Sequence, residues 1–157
     1  MSKVFLVAKC RDLAVPEPSR PVFPIEVFTQ EALSELMVDA YRGTADWEDG
    51  DDESVALAEI RETIKGAYGP FLGYASGVIT ADSKEPVSGL FVSLFEQRPT
   101  VLFVFTRKGH TRQGHAATLI RNAARKLLTE GYKEISLFVS TDNPAIHLYR
   151  ELGFTAE

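Results

Sequence analysis

The stretch from Thr100 to Ser140 constrains this chain more than any other. An apolar, β-rich run over Thr100–Thr106 passes through a basic, glycine-containing segment into an amphipathic helix, and a second strand follows. The segment reads Thr106-Arg107-Lys108-Gly109-His110-Thr111-Arg112-Gln113-Gly114-His115-Ala116. Ala116, Leu119, Ile120, Ala123, Leu127 and Leu128 then mark one face of the helix, and Gly131 closes it. Glu134–Ser140 alternates Ile135, Leu137 and Val139 with polar or exposed positions, the period of a strand. Asp142-Asn143-Pro144 supplies a cap and a first-turn proline for a last helix, ended at Gly153 and Phe154.

The preceding residues fit around this unit. Val4 to Ala8 is a short apolar, partly β-branched run, and prolines at 16, 18, 21 and 24 forbid regular structure before Ile25. Phe28, Leu33, Leu36, Met37 and Ala40 recur at helical spacing up to Gly43. Asp46 to Glu53 carries six acids in eight residues, suited to the positive start of a second helix marked by Val55, Leu57, Ile60 and Ile64 and stopped by Gly66. Tyr74–Thr80, Val87–Glu96 and Thr100–Thr106 are three β-rich runs joined by short links, which implies an antiparallel meander. The order is strand, two helices, three strands, helix, strand, helix. That is an α/β chain of the α+β mixed-sheet kind, with helices on both faces.

At 157 residues the expectation is one domain over 1–157, long enough to bury a core without staples. Hydrophobic residues at 45% and charged residues at 25% argue against wholesale disorder. The formal charge of −5 argues against general attraction to nucleic acid or anionic lipid, so a phosphate site must be local. The one cysteine, Cys10, cannot form an intramolecular disulfide and reads as an inert strand residue. MSKVFLVAKCRD lacks the pattern of a signal peptide, and no run of about 18 apolar residues suggests a membrane span. The expected location is cytoplasmic.

Amides at a helix start point outward with partial positive charge, and Gly114 lets a phosphate approach without a Cβ in the way. One helix start contributes on the order of 1 kcal/mol, so several amides and Arg112 must act together. A P-loop would need Gly-Lys-Ser/Thr after four residues, and a dinucleotide fold would need further glycines on the same turn. Neither is present. A merely solvated basic turn is the bland alternative.

Two motifs together resemble the GNAT superfamily of N-acetyltransferases. Thr111-Arg112-Gln113-Gly114-His115-Ala116 is similar to its Gln/Arg-x-x-Gly-x-Gly/Ala phosphate motif at all but the first position. Asn143, Ala145, Tyr149, Gly153 and Phe154 match its Asn-x-Ala-x-x-x-Tyr-x-x-x-Gly-Phe segment. The resemblance in motifs covers Leu102 to Phe154 and implies a GNAT-like fold, a mostly antiparallel sheet whose C-terminal strands are short or absent here.

It further implies acetyl-CoA as cosubstrate and a primary amine as acceptor. The backbone of Val104, Phe105 and Thr106 would bond the pantetheine arm in the gap between two splayed parallel strands. Thr111 and the residues Arg112, Gln113, Gly114, His115, Ala116 and Ala117 would cradle the pyrophosphate. Asn143 is similar to the residue that contacts the pantetheine, and Tyr149 to the acid that protonates the departing thiolate. A phenol near 10 suits that task, whereas the bland account of Tyr149 is a core aromatic.

Thr111 brings no charge where glutamine or arginine is usual, which throws cofactor affinity onto Arg112 and Arg107. Many family members place a general base on the strand corresponding to Thr100–Thr106. No acid lies there, so Glu96 is the first candidate base, ahead of Glu134, Asp142 and His110. The chain stops at Glu157, whereas family members usually continue into one or two further strands that wall the acceptor site. The expectation is an open pocket or one completed by another subunit, since an exposed sheet edge favours a homodimer. His115 and His147 lack partners at metal-ligand spacing, so no metal is expected. Trp47 in the acidic stretch is a candidate wall for a cationic amine. Rival readings are a silent acyl-CoA sensor or interaction module, and a nucleic-acid binder using Arg107, Lys108, Arg112, Arg121, Arg125 and Lys126, which net charge disfavours.

Overall fold

In a computed structural model the structure describes residues 2–44 and 52–157. Strand β1 (Lys3–Lys9) runs into a short helix α1 (Cys10–Leu13), so Cys10 starts a helix rather than extending the strand. Cys10 is buried, and desolvation followed by the field of Glu134 pushes its thiol up to about 11, which keeps it protonated and inert. After the proline-containing connector come α2 (Gln30–Tyr41) and α3 (Glu53–Lys65).

Both helices begin where a side chain satisfies their first amides. Thr29 accepts from the Ala32 N–H at 3.0 Å, and Asp52 accepts from Ser54 and Val55 at 2.9 and 3.2 Å. Asp52 and Glu53 thus meet the positive helix start as expected, while the acids at 46–51 and Trp47 lie outside the described residues.

Strands β2 (Gly77–Thr80), β3 (Pro86–Phe95) and β4 (Arg98–Thr106) form the antiparallel meander. The first is shorter than the alternation suggests because Gly73–Ala75 coils into a 3₁₀ turn. Helix α4 (His115–Thr129), strand β5 (Glu134–Ser140), helix α5 (Ala145–Leu152) and the two-residue β6 (Thr155–Ala156) complete the order.

The sheet runs β2-β3-β4-β5-β1-β6, mixed because β4 and β5 are parallel and every other pair is antiparallel. Its two faces bury separate cores. Leu119, Ile120 and Ala123 of α4 and Ile146 and Tyr149 of α5 pack with Leu90, Val92 and Leu137 on one face. Leu33, Leu36 and Met37 of α2 and Ile60 of α3 pack with Phe91 and Phe105 on the other.

Two cations that the disfavoured nucleic-acid reading named tie the connector down. Arg121 donates to the carbonyls of Leu13 and Val15 at 3.3 and 2.9 Å, and Arg125 donates to the carbonyl of Ala14 at 3.1 Å and to Glu17 at 3.0 Å.

The edge of β5 away from β4 is filled from the N-terminus. All seven residues of β1 pair with β5, from Lys3 opposite Ser140 to Lys9 opposite Glu134. The sequence order hid this, because the strand is separated from its partner by nearly the whole chain. No helix among the described residues is long and apolar enough to cross a membrane.

Gly89 faces Phe105 across the ladder, and a Cβ there would lie 3.0 Å from the Phe105 ring. The missing side chain makes room for that ring, which in turn packs edge-on against Tyr41 with centroids 5.8 Å apart. Replacing Gly89 by Val should cost about 1–3 kcal/mol by overpacking. Chemical denaturation should show a lower midpoint with an unchanged slope.

Candidate functional site

The site begins where pairing between the parallel strands stops. β4 and β5 are joined only at Thr100 with Ser136 and Val101 with Leu137. The hydroxyls of Thr100 and Ser136 lie 3.1 Å apart, and Ser136 also donates to the Pro99 carbonyl at 3.0 Å, so this end is pinned. One residue later the β3–β4 register slips: Phe91 opposes Phe103 and Val92 opposes Val101, leaving Leu102 as the extra residue of a bulge. A bulge bends its strand and ends pairing. Here it turns β4 away from β5 and opens a cleft of about 770 Å³.

Elements from both faces of the sheet meet at this cleft. Thr111, from the loop before α4, and Asn143, Ala145 and Tyr149, from the start and body of α5, line it on one side. Ala40, Tyr41 and Thr44, from the end of α2, line it on the other. Val104, Phe105 and Thr106 form its β4 wall. Tyr41 donates from its hydroxyl to the Val104 carbonyl at 3.3 Å. Asn143, just before the Pro144 N-cap of α5, accepts the Ala145 N–H at 2.9 Å.

The start of α4 has the shape of an anion cradle. Gly114 adopts φ +82°, and a Cβ built on it meets no atom within 4 Å. The space above it is therefore open, and the left-handed backbone favours glycine. Arg112 also has a positive φ, +61°, and its guanidinium is exposed with no ion-pair partner among the described residues. Gln113, Ala116 and Ala117 belong to the same turn and first helical turn, whose leading amides have no intrahelical acceptor. His115 is buried behind it, its Nε2 3.2 Å from the Gln113 carboxamide oxygen and its Nδ1 without a partner.

Two other cations of the segment point away from this use. Arg107 forms two 2.9 Å bonds to Glu35 of α2 and a further pair with Glu85 at 3.5 Å. The Lys108 amide donates to Asp39 at 2.9 Å, and its ammonium donates to the Arg42 carbonyl. Both side chains lock the loop to α2, so Arg107 does not supply the charge that Thr111 lacks.

The structure brings Tyr149, Asn143, Thr111 and Val104 to Thr106 into one cleft but does not bring Glu96 there. Glu96 sits at φ +50° in the exposed turn between β3 and β4, next to residues that line a different cavity. β4 carries the chain from that turn to the cleft, whose lining on this strand begins at Val101. Glu134 lines the other cavity too. Asp142 is the one carboxylate among the described residues that line the cleft.

Tyr41, Phe103 and Phe138 line the cleft without having been marked by sequence reasoning. Their signal was weak. Each reads as an ordinary apolar residue of a helix or strand, and only the splay of β4 from β5 turns them inward.

Comparison with known proteins accounts for the geometry. Residues 17–154 match the model of the acetyltransferase (GNAT) family. The chain belongs to the GNAT family. No curated protein matches the sequence, but solved structures share the fold. A GCN5-related N-acetyltransferase from Sphaerobacter thermophilus aligns with a TM-score of 0.67 and 16% identity, over 99% of this chain and 48% of its own. A functionally unknown conserved protein from Staphylococcus epidermidis aligns with a TM-score of 0.71 and 11% identity, over 99% and 57%. An aminoglycoside antibiotic 6'-N-acetyltransferase from Acinetobacter haemolyticus aligns with a TM-score of 0.64 and 20% identity, over 87% and 92%. This GNAT chain thus spans only about half the length of the first two, 57% and 48%.

The buried histidine of the cradle has a pH consequence. Desolvation, then the fields of Arg20 and His110, hold His115 below its ordinary value of 6.5. The folded state therefore prefers the neutral ring, while the unfolded chain takes up the proton first. Its contribution to stability is complete above 6.5 and is lost as pH falls through the lower folded value. Urea midpoints measured downward from neutral pH should fall more for the wild type than for His115→Gln.

Proposed function

We propose that this GNAT chain transfers an acetyl group from acetyl-CoA to a primary amine by direct attack. The observation that carries the reading is a cleft between splayed parallel strands that holds Tyr149 and is reached at Thr111 by the loop leading into the open start of α4. Strands, helix start and tyrosine each support a different part of one extended, anionic thioester.

The residues present fit such a molecule. The leading amides of α4, with Gly114 open above them and Arg112 exposed beside them, suit the pyrophosphate. The β5-facing edge of β4 beyond Val101 is free of ladder bonds and offers backbone groups to the amide-bearing pantetheine arm. Asn143 stands at the same rim. Acetyl-CoA supplies the activated acyl carbon and a thiolate leaving group.

Attack by a neutral amine forms the C–N bond and breaks the C–S bond, and the electron pair of the latter departs on sulfur. Backbone N–H of the splayed β4 segment stabilises the intermediate oxyanion. Tyr149 donates its phenolic proton to the sulfur, the nitrogen of the new C–N bond loses its extra proton to water, and water returns one to the tyrosinate. No carboxylate stands on β4, so we assign no side-chain base. The acceptor enters from the α2 side, past Tyr41, Phe103 and Phe138.

A silent acyl-CoA-binding module draws support from the remoteness of Glu96, and one pair of experiments separates the readings. Titration calorimetry should give saturable acetyl-CoA binding. Gly114→Glu should weaken it by roughly 30-fold or more, the loss of about 2 kcal/mol of helix-start and charge-assisted contact. Because φ +82° strains any side chain at that position, Arg112→Ala serves as an unstrained second variant and should weaken binding by about tenfold. A folded wild type that does not bind acetyl-CoA overturns both readings.

Turnover of amines then decides between them. Tyr149→Phe should lower kcat by about 10²-fold or more while leaving acetyl-CoA affinity within a factor of about three. If no amine is acetylated by a protein that binds acetyl-CoA, the silent module is the better account.

A further inference from the structure

A second cavity, of about 620 Å³, lies at the opposite end of β4 and β5 from the cleft. Its walls come from the end of β1, the start of α1, the β3–β4 turn, the end of α4 and the start of β5. Buried Pro99, half-buried Tyr132 and Leu128, which is 41% exposed, give it an apolar floor. Four cations, Lys9, Arg11, Arg98 and Lys133, face one acid, Glu134. That bias stands out in a chain whose formal charge is −5.

The charges are not equally available. Arg98 is held by both oxygens of Glu157 at 2.7 and 2.6 Å, lies 3.8 Å from Glu134, and stacks its guanidinium 4.7 Å over the Phe5 ring. Arg11 pairs with Asp12 at 3.7 Å. Lys9 and Lys133 have no ion-pair partner among the described residues. They leave a small positive surplus against Glu134, enough for one negative charge. A multiply charged phosphate would meet Glu134 without compensation. An apolar floor with a few convergent polar groups in a cavity of this size is the usual form of a small-molecule site.

The cavity also adjoins the apex of the strand pair. Pro99 and Ser136 line it, and the Ser136 hydroxyl bonds the Pro99 carbonyl. The next residue of β5, Leu137, lines the cleft and forms the last pair of the ladder, with Val101. Adjacent residues of one strand thus wall two cavities, and only two residue pairs separate them.

We propose that this cavity is a second ligand site, for a free small monocarboxylate with an apolar body, and that its occupation is felt in the cleft through the two-pair ladder. The carboxylate lies between Lys9 and Lys133, and the apolar body covers Leu128, Tyr132 and Pro99. The acetyl-transfer reading is not needed for this, because the site shares no lining residue with the cleft.

Amide NMR of the isotopically labelled chain titrated with phenylbutyrate tests both parts. The expected result is saturable shifts at Gln97, Leu128, Tyr132 and Lys133 together with shifts at Leu102 to Phe105, and none with the neutral amide of the same acid. Lys9→Glu combined with Lys133→Glu should weaken binding by roughly tenfold or more. Leu128→Asp, which removes the floor and repels the ligand, should do the same. All three positions are exposed, and the unliganded spectrum verifies the fold of each variant. No binding, equal binding of the neutral amide, or shifts centred on the cleft alone would overturn the site. Shifts confined to the cavity residues would overturn its link to the cleft.

Discussion

The short parallel ladder between β4 and β5 is the constraint on which the rest of this structure depends. Parallel strands bury both faces and ordinarily pair along their whole length. Here pairing ends after Val101 and Leu137. The bulge at Leu102 bends one strand away, while the hydroxyls of Thr100 and Ser136 and the Pro99 carbonyl hold the other end closed. The outcome is a wedge-shaped gap at the centre of a sheet. Its backbone groups do without ladder partners because they line a cavity, and the Val104 carbonyl takes the Tyr41 hydroxyl instead. The helix starts that follow β4 and β5 are delivered to the wide end, and the second cavity lies against the narrow end.

Much of this was legible because local signals agreed with one another. Helical spacing placed α2, α3 and α4, the Asn143-Pro144 pair placed the start of α5, and of the two motifs Thr111, Asn143, Ala145 and Tyr149 line the cleft. What escaped was what sequence order cannot carry. Pairing of β1 with β5 joins residues far apart in the chain, and a single-residue register slip at Leu102 leaves no mark in an alternating apolar run. Glu96, ranked first among the candidate bases, stands in the β3–β4 turn and does not line the cleft, whose β4 wall begins at Val101.

The basic segment after β4 teaches a related distinction. Its cations looked alike in sequence, yet they divide by what they touch. Arg107 and Lys108 are drawn to the acids and carbonyls of α2 and fix the loop against that helix. Arg112, thrown outward by its left-handed backbone, is left to face solvent beside Gly114. Charge in the segment therefore serves position first and ligand second. A guanidinium with a bidentate carboxylate loses that pairing if it swings away, which keeps Arg107 on α2 and leaves the start of α4 with its backbone amides and Arg112.

The N-terminal strand closes the sheet beside the cleft. An open β5 edge beside the cleft would expose a row of unpaired backbone groups and invite another chain. β1 closes it from within, and β6 adds two residues beyond, at Thr155 and Ala156. The same strand carries Lys3 into the cleft lining and sets Phe5 against Phe138 with ring centroids 4.7 Å apart. α2 and α3 cover the meander on that face, but Phe138 remains 48% exposed. The rim of the cleft is therefore shaped by aromatic rings and one lysine. Among the described residues that line it, Asp142 is the single carboxylate. The surface that β1 completes is thus more apolar than charged.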